Sequence, residues 1–89
     1  MSTATRTVVI TDPVGIHARP AAEFSQAVGA SGCSVTISKQ PGAAGVNAAS
    51  ILSVMGLGVK GGDTVEIVVT GDDAENVADS LIHTLAKGE

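Results

Sequence analysis

A histidine and an arginine two residues apart, followed at once by a proline, form the stretch best suited to chemistry: Gly15-Ile16-His17-Ala18-Arg19-Pro20-Ala21-Ala22. Imidazole is a nucleophile at neutral pH, because the free group titrates near ~6.5. A guanidinium offers a fork of donors matched to phosphate oxygens. Proline suits the first turn of a helix, where its missing N–H costs no intrahelical bond. The N–H groups around Ala18 and Arg19 are then free, and the helix dipole adds positive potential. A phosphoryl group carried on His17 would have its oxygens held by those N–H groups and by Arg19. A plain surface histidine ahead of a helix, with a solvated arginine, has the same three residues, and the triplet alone does not separate the two.

Such a site needs a strand-ending loop that turns into a helix. Residues 6–11 are a β-branched run that reads as a strand, with Val8 and Ile10 pointing one way, and Asp12-Pro13-Val14-Gly15 breaks it. Ala21, Phe24 and Val28 then recur at helical spacing, giving a helix over residues 18–28 with Gly29 as its stop. Residues 33–39 alternate, with Val35 and Ile37 on one face. Residues 40–45 are turn material, and a short strand around Val46 closes a hairpin. Residues 63–70 form the clearest strand, with Val65, Ile67 and Val69 inward and Glu66 and Thr70 outward. In the last helix Ala74, Val77, Ala78, Leu81, Ile82 and Leu85 make a continuous apolar stripe. Asp72 and Glu75 match a capping box at its start, and Lys87-Gly88 matches its end. Each strand has one apolar face and each long helix one stripe. They pack together as an α+β open-faced β-sandwich: a four-stranded antiparallel sheet with helices on one face, a single domain over residues 1–89.

Composition bounds the function. Eighty-nine residues allow one two-layer core and no large internal cleft, and with Phe24 the sole aromatic that core is Val, Ile, Leu and Ala. A formal charge of −4, with no long basic run, argues against general nucleic-acid binding. The single cysteine, Cys33, cannot form an internal disulfide and reads as a small half-buried side chain at a strand start. No signal core or membrane-length apolar run is present, so a soluble, cytoplasmic, monomeric protein is expected. Two histidines without paired cysteines make no metal site. His83, four residues after Asp79, reads as an ordinary surface contact, and Asp72 and Asp73 as helix-capping charges.

A second stretch, Asn47-Ala48-Ala49-Ser50-Ile51-Leu52-Ser53-Val54-Met55-Gly56-Leu57-Gly58, lacks a clean amphipathic stripe. Ser50 suits an N-cap, and Gly56 can end a helix of less than two turns. Val54 and Leu57 reach the core, which leaves Ile51, Leu52 and Met55 without a place in it. They are either buried after all, scattered harmlessly on the surface, or gathered in a small docking patch, adaptable through Met55.

The run Gly15–Ala22 closely resembles the active-site signature of HPr, the histidine phosphocarrier family of the bacterial phosphoenolpyruvate:sugar phosphotransferase system. The second stretch resembles that family's other motif, in which a serine opens a short helix carrying exposed apolar residues. Lys60-Gly61-Gly62-Asp63 matches too, so the resemblance spans nearly the whole chain. It implies four strands and three helices in the order βαββαβα. It also implies His17 as phosphoacceptor through Nδ1, Arg19 as phosphoryl ligand, Ala18 and Pro20 as supporting helix start, and Ile51, Leu52 and Met55 as docking patch. Ser50 falls on the serine that a dedicated kinase phosphorylates in some Gram-positive members. The implied partners are enzyme I as donor and sugar-specific enzyme IIA proteins as acceptors, with no cofactor beyond the covalent phosphate and no turnover of its own. The sequence departs from the pattern at four residues and in the hairpin loop at Gln40 to Gly45, which is slightly longer than in some members. Val14 replaces a small polar residue, Gln26 and Gly29 fall where several members have basic residues, and Ala49 stands where a lysine often precedes the serine. Two other readings share these residues: a regulatory relative serving a nitrogen-linked or dihydroxyacetone-kinase chain, and an interaction module that binds a transcription factor through phosphorylated Ser50.

Overall fold

The computed structural model describes residues 2–10, 18–40, 42 and 44–86, and the side chains of 18–20 and 86 fall outside that description. The elements run β1 (Ser2–Val9), α1 (Ala18–Ser31), β2 (Ser34–Ser38), β3 (Val46–Asn47), α2 (Ile51–Gly56), β4 (Thr64–Gly71) and α3 (Ala74–Ala86). The sheet order is β1-β4-β2-β3, antiparallel throughout. The expected element order and open-faced α+β architecture are therefore those observed.

Strand β4 alternates strictly between core and outer face: Val65, Ile67, Val69 and Gly71 are buried, and the residues between them are half-buried. It pairs on both sides. Val65, Ile67 and Val69 face Val8, Arg6 and Ala4 of β1, while Ile67 and Val69 face Ile37 and Val35 of β2. Onto this face α3 lays Ala74, Ala78, Leu81 and Leu85, and α1 lays Ala21, Phe24 and Val28, all buried. Fully burying one such large side chain contributes about 1.5–3 kcal/mol, so Phe24, Ile37, Ile67 and Leu81 dominate the core.

Four local readings change. Strand β1 begins at Ser2 and not at residue 6, because the long β4 templates it: Ser2 to Arg6 pair with Gly71 to Ile67. Only Ala4 of that early half enters the core, so its sequence carries little apolar signal. Helix α1 continues through Gly29 to Ser31. A Cβ at Gly29 would meet nothing within 4 Å, and the positive-φ residue that ends the helix is Gly32, at φ 74°. Helix α3 starts one residue later than a box on Asp72 requires. Its cap is Asp73, whose carbonyl accepts from the Val77 N–H at 3.0 Å and whose Oδ1 accepts from the Asn76 amide at 2.9 Å. Asp73 sits at φ 60°, a region Asp and Asn tolerate better than most residues. Lastly, Asp79 accepts from Arg6 Nε of β1 at 2.9 Å instead of meeting His83. The sequence readings of a strand end at Thr11, a break at Asp12 to Gly15 and a helix end at Lys87-Gly88 fall outside the described residues.

Candidate functional site

Two elements frame the segment that holds His17. At the end of β1, Ile10 is buried, its N–H donates to the Asp63 carbonyl at 2.9 Å, and its own carbonyl accepts from Gly62 N–H at 2.7 Å. The 60–63 turn is itself closed by Lys60 N–H donating to Asp63 Oδ2 at 2.9 Å. On the far side, α1 begins at Ala18. Its first-turn sequence, Ala-Arg-Pro-Ala, contains no carboxylate to compete for the free N–H groups of Ala18 and Arg19. His17 itself lies outside the described residues, as do the side chains of Ala18, Arg19 and Pro20. The structure thus fixes the backbone helix start that adjoins His17 in sequence, and the end of the strand that precedes it.

The second candidate element lies alongside α1. Ser25, buried in the middle of α1, donates its hydroxyl to the Ala48 carbonyl at 3.0 Å. That bond fastens α1 to the chain just ahead of α2. The sequence reading passed over Ser25, since a single serine beside Phe24 on an apolar stripe gives no distinctive signal. Ala48 also donates to the Val35 carbonyl at 3.0 Å, and Asn47 Oδ1 accepts from Ala49 N–H at 3.0 Å. This turn delivers the chain to Ser50, at φ −102° and ψ 115°, whose hydroxyl accepts from Ser53 N–H at 3.3 Å as an N-cap. After six residues α2 ends, and Gly58 supplies the positive φ, 69°, that turns the chain toward the 60–63 turn beside Ile10.

Of α2 only Val54 is buried, with Leu57 half-buried behind it. Ile51 is 39% exposed, Leu52 84% and Met55 41%. Helix α2 therefore runs from the middle of α1 toward the end of β1, with three large apolar side chains turned to solvent. Cys33 is half-buried just before β2, with its Sγ donating to the Asp72 carbonyl at 3.4 Å, and His83 is exposed on α3. Among the described residues no group of three or more His, Cys, Asp or Glu could hold a metal ion, and no helix is long and apolar enough to cross a membrane.

Comparison with known proteins accounts for this combination. The family described as the PTS HPr component phosphorylation site matches residues 4–87, which include the run around His17. The phosphocarrier protein HPr of Streptomyces coelicolor is 43% identical over 74 residues, covering 83% of this chain and 78% of that protein. The HPr of Haloferax volcanii is 38% identical over 84 residues, 94% of each. Among solved structures, an HPr from Thermoanaerobacter tengcongensis superimposes with a TM-score of 0.83 at 32% identity, covering 96% of this chain and 93% of that one. The chain belongs to the HPr family, the phosphocarrier proteins of the phosphotransferase system.

Proposed function

We propose that the protein accepts a phosphoryl group on His17 from phosphorylated enzyme I and passes it to sugar-specific enzyme IIA proteins. One observation carries the reading. The Gly15–Ala22 run leads into a helix that begins at Ala18, and the exposed patch of Ile51, Leu52 and Met55 flanks that same helix. In the transfer, an unprotonated nitrogen of His17, Nδ1 by family resemblance, attacks the phosphorus of the donor's phosphohistidine in line. The new N–P bond forms as the donor's N–P bond breaks, and the donor imidazole leaves with its electron pair. Arg19 and the free N–H groups of the first turn of α1 hold the phosphoryl oxygens, and the reverse displacement delivers the group to the IIA acceptor. The protein is a stoichiometric carrier, monomeric and cytoplasmic, whose only attached group is the phosphate.

Incubation with phosphoenolpyruvate and enzyme I, followed by intact mass, tests this. A phosphoryl adduct that is acid-labile and base-stable is expected. His17→Ala is expected to abolish it while the circular dichroism spectrum stays that of the wild type. A His17→Ala protein that still accepts phosphate at the normal rate overturns the assignment. A choice among acceptors, sugar-specific IIA or another chain, follows from which of them discharges the adduct.

A further inference from the structure

The pairing of β1 with β4 ends in a defined device. The ladder runs without interruption from Ser2 opposite Gly71 to Val9 opposite Thr64, so the next pair would be Ile10 with Asp63. In a regular antiparallel ladder those two residues would exchange both of their backbone bonds. Only one is made: Ile10 N–H donates to the Asp63 carbonyl at 2.9 Å, while the Ile10 carbonyl accepts from Gly62 N–H at 2.7 Å. Two residues thus face one. This is a β-bulge, and Gly62, at φ 91°, supplies the positive φ of its glycine form. The Asp63 N–H, released from the ladder, donates to the Lys60 carbonyl at 3.0 Å and closes a β-turn over residues 60–63. The Asp63 carboxylate answers that bond, with Oδ2 accepting from Lys60 N–H at 2.9 Å. Turn and bulge are therefore one unit, and Asp63 joins them: its side chain and N–H close the turn, and its carbonyl holds Ile10.

Ile10, 1% exposed, is the last described residue ahead of His17, and Ala18 at the start of α1 is the first after it. The chain that carries the histidine therefore leaves from a point pinned by the bulge. Bulges of this kind end strand pairing and re-aim the chain beside active sites. Resting on the phosphocarrier reading above, we propose that Asp63 is a positioning residue for phosphoryl transfer. By holding the 60–63 turn closed it fixes Ile10, and through Ile10 the point and direction from which the chain sets out toward His17. In-line displacement tolerates little error, since a misplacement of about 1 Å can cost about 100-fold in rate. What Asp63 supplies is an oxygen acceptor for Lys60 N–H, so an uncharged oxygen on the same stem serves as well.

The test is single-turnover transfer from phosphorylated enzyme I, by rapid quench over a range of carrier concentration, for wild type, Asp63→Ala, Asp63→Asn and Gly62→Ala. Asp63→Ala is expected to lower the limiting rate about tenfold and to leave the half-saturating concentration within about twofold, the mark of lost positioning and not of lost binding. Asp63→Asn keeps the acceptor and is expected to stay within about threefold of the wild-type limiting rate. Gly62→Ala, whose Cβ meets nothing within 4 Å but sits at a strained φ, loosens the same bulge from the backbone and is expected to slow transfer as Asp63→Ala does. Amide hydrogen exchange at Ile10 and Gly62 is expected to quicken in both slow variants while Ile67, in the middle of β4, stays protected. A wild-type limiting rate in either Asp63→Ala or Gly62→Ala overturns the proposal. So does a loss that Asp63→Asn shares in full, or one confined to the half-saturating concentration. The phosphocarrier reading fails separately, and takes this proposal with it, if the wild-type protein itself forms no acid-labile adduct.

Discussion

Helices α2 and α3 are both made largely of apolar and small residues, yet the fold uses them in opposite ways. Helix α3 has thirteen residues and buries Ala74, Ala78, Leu81 and Leu85 on the sheet. Helix α2 has six, buries Val54 alone, and leaves Leu52 84% exposed. Burial of a stripe holds α3 in place. Helix α2 is held instead by its ends: the Ser50 cap, the turn through Ala48 and the single anchor Val54. Beyond Val54, the large apolar side chains of α2 add little to the core, and that leaves them open to a partner.

The sharpest way to break this contrast is to truncate one leucine on each helix. Leu81, 2% exposed, packs in the core, so Leu81→Ala is expected to cost about 2–5 kcal/mol. Leu52→Ala is expected to change stability by no more than about 0.5 kcal/mol, while slowing phosphorylation by enzyme I. Urea denaturation and initial transfer rates measure the two effects. A Leu52→Ala protein destabilised as much as Leu81→Ala would show that α2 is core in solution.

Legibility in the sequence followed the same division. Strand β4 and helix α3 could be read because burial on one face imposes period 2 and period 3.6 on a single run. The misfit of Ile51, Leu52 and Met55 to any stripe was itself the signal that they are exposed. What stayed hidden depends on residues distant in sequence. The early half of β1 is a strand because β4 is beside it, and its Thr3, Thr5 and Thr7 face outward. The choice of Gly32 over Gly29 as the end of α1 is set by where the chain must turn into β2, and no local pattern distinguishes the two glycines. Arg6 finds Asp79 across 73 positions, beyond the reach of any helical spacing rule. The family was legible through the order of residues 15–22, while His17 and the side chains of Ala18, Arg19 and Pro20 lie outside the described residues.

A subtler comparison concerns the cap that holds α2. Ser50→Ala removes the acceptor for Ser53 N–H and is expected to cost about 1 kcal/mol, since few other bonds hold so short a helix. Ser50→Asp restores an acceptor and places a negative charge at the positive end of the helix, so stability is expected to stay at the wild-type level. The rates are expected to run the other way. Ser50→Asp sets a carboxylate next to Ile51 and Leu52, and desolvating it against an apolar partner is costly, whereas Ser50→Ala adds no charge. Thermal melts and enzyme I titrations on both variants separate cap from docking. Equal transfer rates for Ser50→Asp and wild type would leave Ser50 a cap only, with no regulatory role through that surface.

The smallest effect expected is at the other helix. Arg6 Nε donates to Asp79 Oδ1 at 2.9 Å and its Nη1 to the Thr5 carbonyl at 2.9 Å, so β1 holds the guanidinium in place before the carboxylate meets it. The pair joins α3 to an edge strand, and on geometry alone it looks like a clamp. Exposure argues otherwise: the two side chains are 33% and 66% accessible, and water screens most of their attraction. The apolar stripe beneath already holds α3 in register. A double-mutant cycle with Arg6→Ala and Asp79→Ala is therefore expected to return a coupling of about 0–1 kcal/mol, falling toward zero as salt is raised. A coupling well above that range, persisting at high salt, would mean that α3 depends on an ionic tether as α2 depends on its cap, and the division between a helix held by its face and a helix held by its ends would no longer stand.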